Sequence, residues 1–369
     1  MRYLAAKMVF VFLIFALAIG CNNSDSPIAS GNEQTALNDV ALSSLEKTSV
    51  ESFGHIVVAN RNGGTISVID AKTDLVSGTY NLPATTKTPE PMYVVYAKNS
   101  PRVLVGDRAN NQIVVFNARN FSVENTIPAG AGIWHMWADP GEKQLWVAND
   151  IDKTCSVINP ASLRVLATVP IPADLAALGG KPHDVILDPN GRFAYVSLIS
   201  VSGSSDYVVK FSTRTFKETG RAAVGKDPHL SLTPKNELLY VPCQNSNAVF
   251  VLKRQTLQQV TTIAVSGAHG AGMPLHGKTF YTTNFSGGGT NGLFAIDTRT
   301  NDIIGSTNTP FPVPHNIALT PDGRKLYVTH SGATAKQVTV YRVSSPEAAP
   351  VYLTTIEVGL NPFGLAFTR

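Results

Sequence analysis

The chain has 369 residues, room for one large domain or two ordinary ones, and only 15% of them are charged, while 29 Gly and 23 Pro call for many turns and leave little place for long charge-rich helices. The formal charge of +4 is mildly basic. No Lys/Arg run accompanies it, however, so the electrostatic footprint of a nucleic-acid partner is missing.

In chain order, Arg2 and Lys7 precede an apolar run from Met8 to Ile19. Twelve residues are too few to span a bilayer comfortably and suit the core of a signal peptide. The run ends in Leu17-Ala18-Ile19-Gly20-Cys21, which resembles a bacterial lipobox, with Ala18 where Leu is usual. That resemblance implies cleavage after residue 20, lipidation of Cys21, and a protein tethered to a bacterial membrane on its periplasmic or cell-surface side. Residues 22–53 are rich in Ser, Asn and Asp with weak periodicity and read as a flexible tether. Removing the signal leaves 28 Lys+Arg against 26 Asp+Glu, so no strongly charged partner is implied. Cys155 and Cys243 then remain, too few for a disulfide scaffold, and whether they pair stays open.

From residue 54 onward one pattern recurs. An apolar strand leads to a turn, most clearly Asp188-Pro-Asn-Gly191 and Thr320-Pro-Asp-Gly323. A second strand follows, as in Ile56–Asn60, Leu145–Asn149, Leu239–Cys243 and Leu326–His330. A third follows that, as in Ile66–Asp70, Ile113–Asn117 and Leu293–Asp297, and then a polar turn and a fourth strand. These short β-branched and aromatic runs bounded by turn residues are antiparallel strands, and four per unit of about 45 residues make the blade of a β-propeller. First strands begin at Met92, His135, His183, His229, His269, His315 and Phe363. The pattern therefore predicts an all-β, seven-bladed propeller over 54–369. The N-terminal strands lack a first strand and the C-terminus ends in one, so their pairing closes the ring and removes both sheet edges.

The stretch Pro314 to Thr329 resembles the repeat of YVTN-type β-propellers, which are related to lactonase-type propellers. The resemblance implies the fold and says little of activity, because one scaffold hosts many functions.

Five first strands begin with His: His135, His183, His229, His269 and His315. Rotational symmetry aims them at one mouth of the channel, and His330, ending the second strand of its blade, is expected beside them. His55 and His276 are not. Imidazole is the commonest metal ligand and suits Cu, Zn, Fe or Ni; so many imidazoles, together with the Irving–Williams order, point to copper. Asp107 and Asp184 are candidates to orient the ligands, and Cys243 occupies a neighbouring position. The pattern is similar to the histidine-ringed copper cluster in the propeller of nitrous oxide reductase. Met92 and Phe363 interrupt the ring here, and no His-His pair is present, which argues against that reaction.

Several functions stay open: an extracytoplasmic metal-binding propeller, a binding or scaffold module with a structural histidine ring, a lactonase- or lyase-like enzyme, and a haem-binding propeller with one axial His. The absence of Cys-x-x-Cys-His excludes covalent c-type haem. A monomer is expected, with a protein or small-molecule partner at the histidine face, where the Ser200–Asp206 and Ser286–Asn291 loops lie. Trp134, Trp137 and Trp146 read as packing between blades.

Overall fold

The structure, a computed structural model, describes residues 54–234 and 237–369. The signal-like segment, Cys21 and the tether lie outside the described residues. The rest forms seven four-stranded antiparallel sheets. Six are built from consecutive strands, and their first strands are β4 (Pro91–Ala97), β8 (Ile133–Ala138), β12 (Lys181–Leu187), β16 (Ser231–Leu232), β20 (Ala268–Gly272) and β24 (Pro314–Leu319). The seventh combines β28 (Pro362–Thr368) with β1 (His55–Asn60), β2 (Thr65–Asp70) and β3 (Leu75–Asn81). His55 lies opposite Thr368, and Asn60 opposite Pro362. The two ends of the propeller thus meet as the repeat pattern requires. No helix among the described residues is long and apolar enough to cross a membrane.

Burial follows the alternation within each strand. The second and third strands of each blade are buried on both faces, as in Val103–Val105 and Val114–Phe116, while fourth strands such as β3 are largely exposed. Seven apolar clusters, one between each pair of neighbouring blades, hold the ring together. The one between the closing blade and the next joins Val57, Ile66 and Val68 to Val94, Val103 and Phe116. Large aromatics recur in the second strands: Trp146, Tyr195, Tyr240, Tyr281 and Tyr327 are all fully buried or nearly so. Trp146 packs between blades as expected. Cys155 and Cys243 are free, buried thiols in different blades.

One local feature decides what faces the channel. In six of the seven blades the register between first and second strands shifts near the start of the first strand: between Pro91 and Val94, Ile133 and Met136, Pro182 and Val185, Ala268 and Ala271, Pro314 and Ile317, and Pro362 and Leu365. A β-bulge leaves a residue unpaired and re-aims side chains. In those six blades two successive residues of the first strand, rather than alternate ones, therefore turn toward the axis.

Candidate metal centre

The bulges build two layers of side chains at one mouth. Pro91, Ile133, Pro182, Pro228, Ala268, Pro314 and Pro362 are equivalent, since each faces the end of its blade's second strand. The residue after each forms one layer: Met92, Trp134, His183, His229, His269, His315 and Phe363. In the six bulged blades the next residue forms a second: Tyr93, His135, Asp184, Gly270, Asn316 and Gly364, whereas Leu230 packs between blades. Two expectations are corrected by this register. His135 belongs to the second layer, one residue beyond the place of the other four histidines, and that place is taken in its blade by Trp134. Trp134 accordingly faces the channel group with Met92, Tyr93 and Phe363 instead of packing between blades. In the second layer, Gly270 is dictated by close approach, because an added Cβ there would stand 1.8 Å from the His315 carbonyl oxygen.

The second layer is wired from blade to blade. The Tyr93 ring lies on His135 with centres 3.6 Å apart. His135 Nδ1 is 3.0 Å from Asp184 Oδ1. Asp184 also accepts from the backbone N–H of Val185 at 2.7 Å and of Leu230 at 2.8 Å, so one carboxylate joins three blades. Burial alone would raise the Asp184 carboxyl, but His135 beside it, helped by His229 and His183, holds it below the usual range. Asp184 therefore stands directly against His135.

His135, His183 and His229 each bring a ring nitrogen within 4.8 Å of the others. Their ring centres form a triangle of 5.3, 5.3 and 4.8 Å. Three imidazoles at tetrahedral angles on one ion, with metal–nitrogen bonds of about 2.0–2.1 Å, place their ring centres roughly 5 Å apart. The triangle has that size. His269 lies closer to His229, at 3.8 Å with the rings tilted, and His315 stacks on its other side at 4.7 Å.

Six buried ring nitrogens in this group have no hydrogen-bond partner: Nε2 of His135 and His229, and both nitrogens of His183 and His269. Leaving a buried polar atom unsatisfied costs about 1–3 kcal/mol, so this mouth concentrates a large unmet demand for ligation or hydrogen bonding. Four of the rings are also held neutral. Burial, reinforced by the neighbouring histidines, pushes His183, His269 and His315 well below the usual imidazole range, and burial followed by His135 brings His229 to about 3. Neutral imidazoles with free lone pairs are what a transition metal requires.

Aromatic side chains wall the cluster off. Trp134 sits 5.0 Å from His183, Phe285 4.5 Å from His269, and Phe363 4.2 Å from His315. Arg108 lies over Trp134 and Arg61 over Phe363, paired with Asp150 and Glu90 respectively.

Three expected site residues are placed elsewhere. His330 is fully buried with both ring nitrogens engaged, Nδ1 with the Pro312 carbonyl at 3.0 Å and Nε2 with Thr339 Oγ1 at 2.9 Å. It reaches across its own sheet to the third strand, as Asn60 reaches Ser67 in the closing blade, and is not brought to the five. Asp107 accepts from the Glu90 backbone N–H and from the Asn110 and Gln112 amides, which makes it the anchor of a loop. The Cys243 thiol donates to the Val241 carbonyl, and burial pushes it above the range where thiolates form. Asp227, Tyr93 and Phe285 were not foreseen. The triplet Asp227-Pro228-His229 carried a signal for the first, since Asp227 lies only two residues before a channel histidine.

The depressed histidines predict the acid response of the metal-free protein. Each binds a proton in the unfolded chain near pH 6.5 but resists it when folded, so the unfolded state holds more protons between that pH and the folded value. Stability should be level from pH 7 to 8.5 and fall as pH drops below 6.5, by roughly 1.4 kcal/mol per pH unit for each such histidine. Asp184, also depressed, adds loss of the same sign below pH 4. Denaturant midpoints measured against pH check this; a midpoint that rises on acidification between pH 6.5 and 5 would contradict the buried neutral ring.

A seven-bladed β-propeller family model described as lactonase matches residues 30–270. No curated protein matches the chain. Among solved structures, a periplasmic gluconolactonase of Pseudomonas aeruginosa is 16% identical, with 86% of this chain and 99% of that chain covered at a TM-score of 0.66. A functionally unknown protein from Desulfotomaculum acetoxidans is 14% identical, covering 85% of this chain and 99% of its own at 0.66. Hydrazine synthase of Kuenenia stuttgartiensis is 14% identical, covering 77% and 91% at 0.63. At such identities the likeness is one of fold.

Proposed function

The chain belongs to the lactonase family of seven-bladed β-propellers, and from that premise we propose that its channel mouth binds a transition-metal ion, copper foremost, through His135, His183 and His229. The observation that carries this reading is the set of buried, unpartnered ring nitrogens converging in a triangle of ligand size. Asp184 fixes His135 through Nδ1 and leaves Nε2 for the ion, the carboxylate–histidine–metal arrangement that orients a ligand and raises its basicity. Copper is preferred by the Irving–Williams order, and zinc is the alternative that the same donors serve. Haem is disfavoured, because ring centres 3.8 to 5.3 Å apart leave no slot for a macrocycle. The exported, lipid-anchored reading of residues 1–21 belongs with this proposal, since it would place the site where exchangeable copper is met.

The purified protein should carry metal, and elemental analysis with an absorption spectrum distinguishes copper, zinc and none. Asp184→Asn should weaken metal affinity about 10–100-fold while the protein stays folded. Metal-free wild-type protein that also takes up neither copper nor zinc on addition would overturn the reading.

Family membership favours a second role on the same site, hydrolysis of a lactone. Three protein ligands leave a coordination position open, as catalytic rather than structural sites do, and such an ion supplies Lewis acidity or an activated water. His315 and His269 line the site beside the triangle. Acid release from gluconolactone by the metal-loaded protein, absent in His183→Leu, is the expected result; metal binding without turnover would leave the first reading and remove the second.

A further inference from the structure

We propose that the mouth holds two metal ions, the second bound by Asp227 and His269 on the far side of His229. This rests on the metal-binding reading above and adds a site to it.

Asp227, His229 and His269 form a second group whose ligand atoms lie within 4.8 Å of one another. His229 is common to both groups, so it stands between two candidate positions. His269 does not belong to the first group: the ligand atoms that lie within 4.8 Å of one another there come from His135, His183 and His229, and those of His269 are grouped with Asp227 and His229 instead. Yet His269 is 6% exposed and neither of its nitrogens has a partner. A buried imidazole with both nitrogens unmet is the independent sign that something is bound there.

The carboxylate is aimed by its backbone. Asp227 has φ +62°, a left-handed conformation uncommon outside glycine. Asp206 holds it there, accepting from the Asp227 backbone N–H at 2.9 Å through one oxygen and from the Lys226 ammonium at 2.9 Å through the other. Lys226 is thereby turned away from Asp227 and also donates to the Val201 carbonyl. Asp227 Oδ1 is left 4.0 Å from His183 Nε2, beyond hydrogen-bond reach, and no donor among the described residues satisfies the carboxylate. Grouped with His229 and His269 and left without such a donor, this carboxylate supplies the anionic ligand of the second position. If His229 coordinates through both nitrogens, its remaining ring proton passes to solvent on loading.

The test is the stoichiometry of copper or zinc retained by the full-length protein after titration and gel filtration. Two ions per chain are expected in the wild type and one in both Asp227→Asn and His269→Asn, with the melting temperatures of the metal-free variants confirming that each is folded. One ion in the wild type, unchanged in both variants, overturns the second site and leaves the first. Two ions in all three proteins overturns the assignment to Asp227 and His269. No ion in the wild type removes the underlying reading as well.

Discussion

His183→Leu is expected to abolish metal uptake and at the same time to stabilise the metal-free protein, by about 1–3 kcal/mol. Both effects come from one side chain. His183 is 6% exposed, and neither ring nitrogen has a partner, so without a metal the fold carries two unmet polar atoms there. Leucine has a similar volume and no polar atom. It faces Trp134 and the neighbouring imidazoles, so little cavity is left and apolar contact is kept. The lost ligand is one corner of the triangle, and a site reduced to two imidazoles should bind copper or zinc at least 100-fold more weakly, a change of about 2.7 kcal/mol. Chemical denaturation of metal-free proteins measures the first effect and competition with a chelator the second. A purely structural histidine ring predicts the reverse: a destabilised His183→Leu and no metal affinity to lose. Stability given up for ligation is the usual mark of a functional site.

Deleting residues 362–369 should prevent folding altogether. β28 is the innermost strand of the closing blade, paired with β1 along its length, and its removal exposes the edge of β1. It also strips Phe363 from Met92 and Tyr93, and takes Leu365 and Phe367 from the cluster around Tyr327 and Val338. Three large apolar side chains at about 1.5–3 kcal/mol each, added to the lost strand pairing, approach the whole 5–15 kcal/mol by which domains are stable. Supplying 362–369 as a separate peptide should recover soluble protein in part, because the missing strand is an edge partner. Soluble, cooperatively melting truncated protein would show that the ring does not depend on this closure.

The repeat made the propeller legible because blades are local objects. Turn residues such as Pro189-Asn190-Gly191 and alternating runs such as Ile66–Asp70 are set by neighbours in sequence, and seven copies reinforce one another. The complementary ends were equally readable, since unpaired sheet edges are costly wherever they occur. The site was read less completely. His183, His229, His269 and His315 were found by their common place in the repeat, and Asp184 by lying next to one of them. His135 was counted among them one register early, His330 was assigned to a mouth it does not reach, and Trp134 was taken for packing between blades.

The errors at His135 and Trp134 share a cause. Strand periodicity assigns alternate residues to opposite faces, but the bulge at the start of six first strands turns two successive residues toward the axis. Composition and repeat spacing settled the all-β class, the seven blades, the closure and the five clustered histidines, His135 one residue out of register, because each depends on patterns within a few residues. Which imidazoles meet in a triangle, that Asp184 rather than Asp107 supports them, and that Asp227 turns toward His183 were decided only in the folded ring. There, residues more than 40 positions apart are brought within bonding distance by a bulge and a left-handed backbone that sequence spacing does not record.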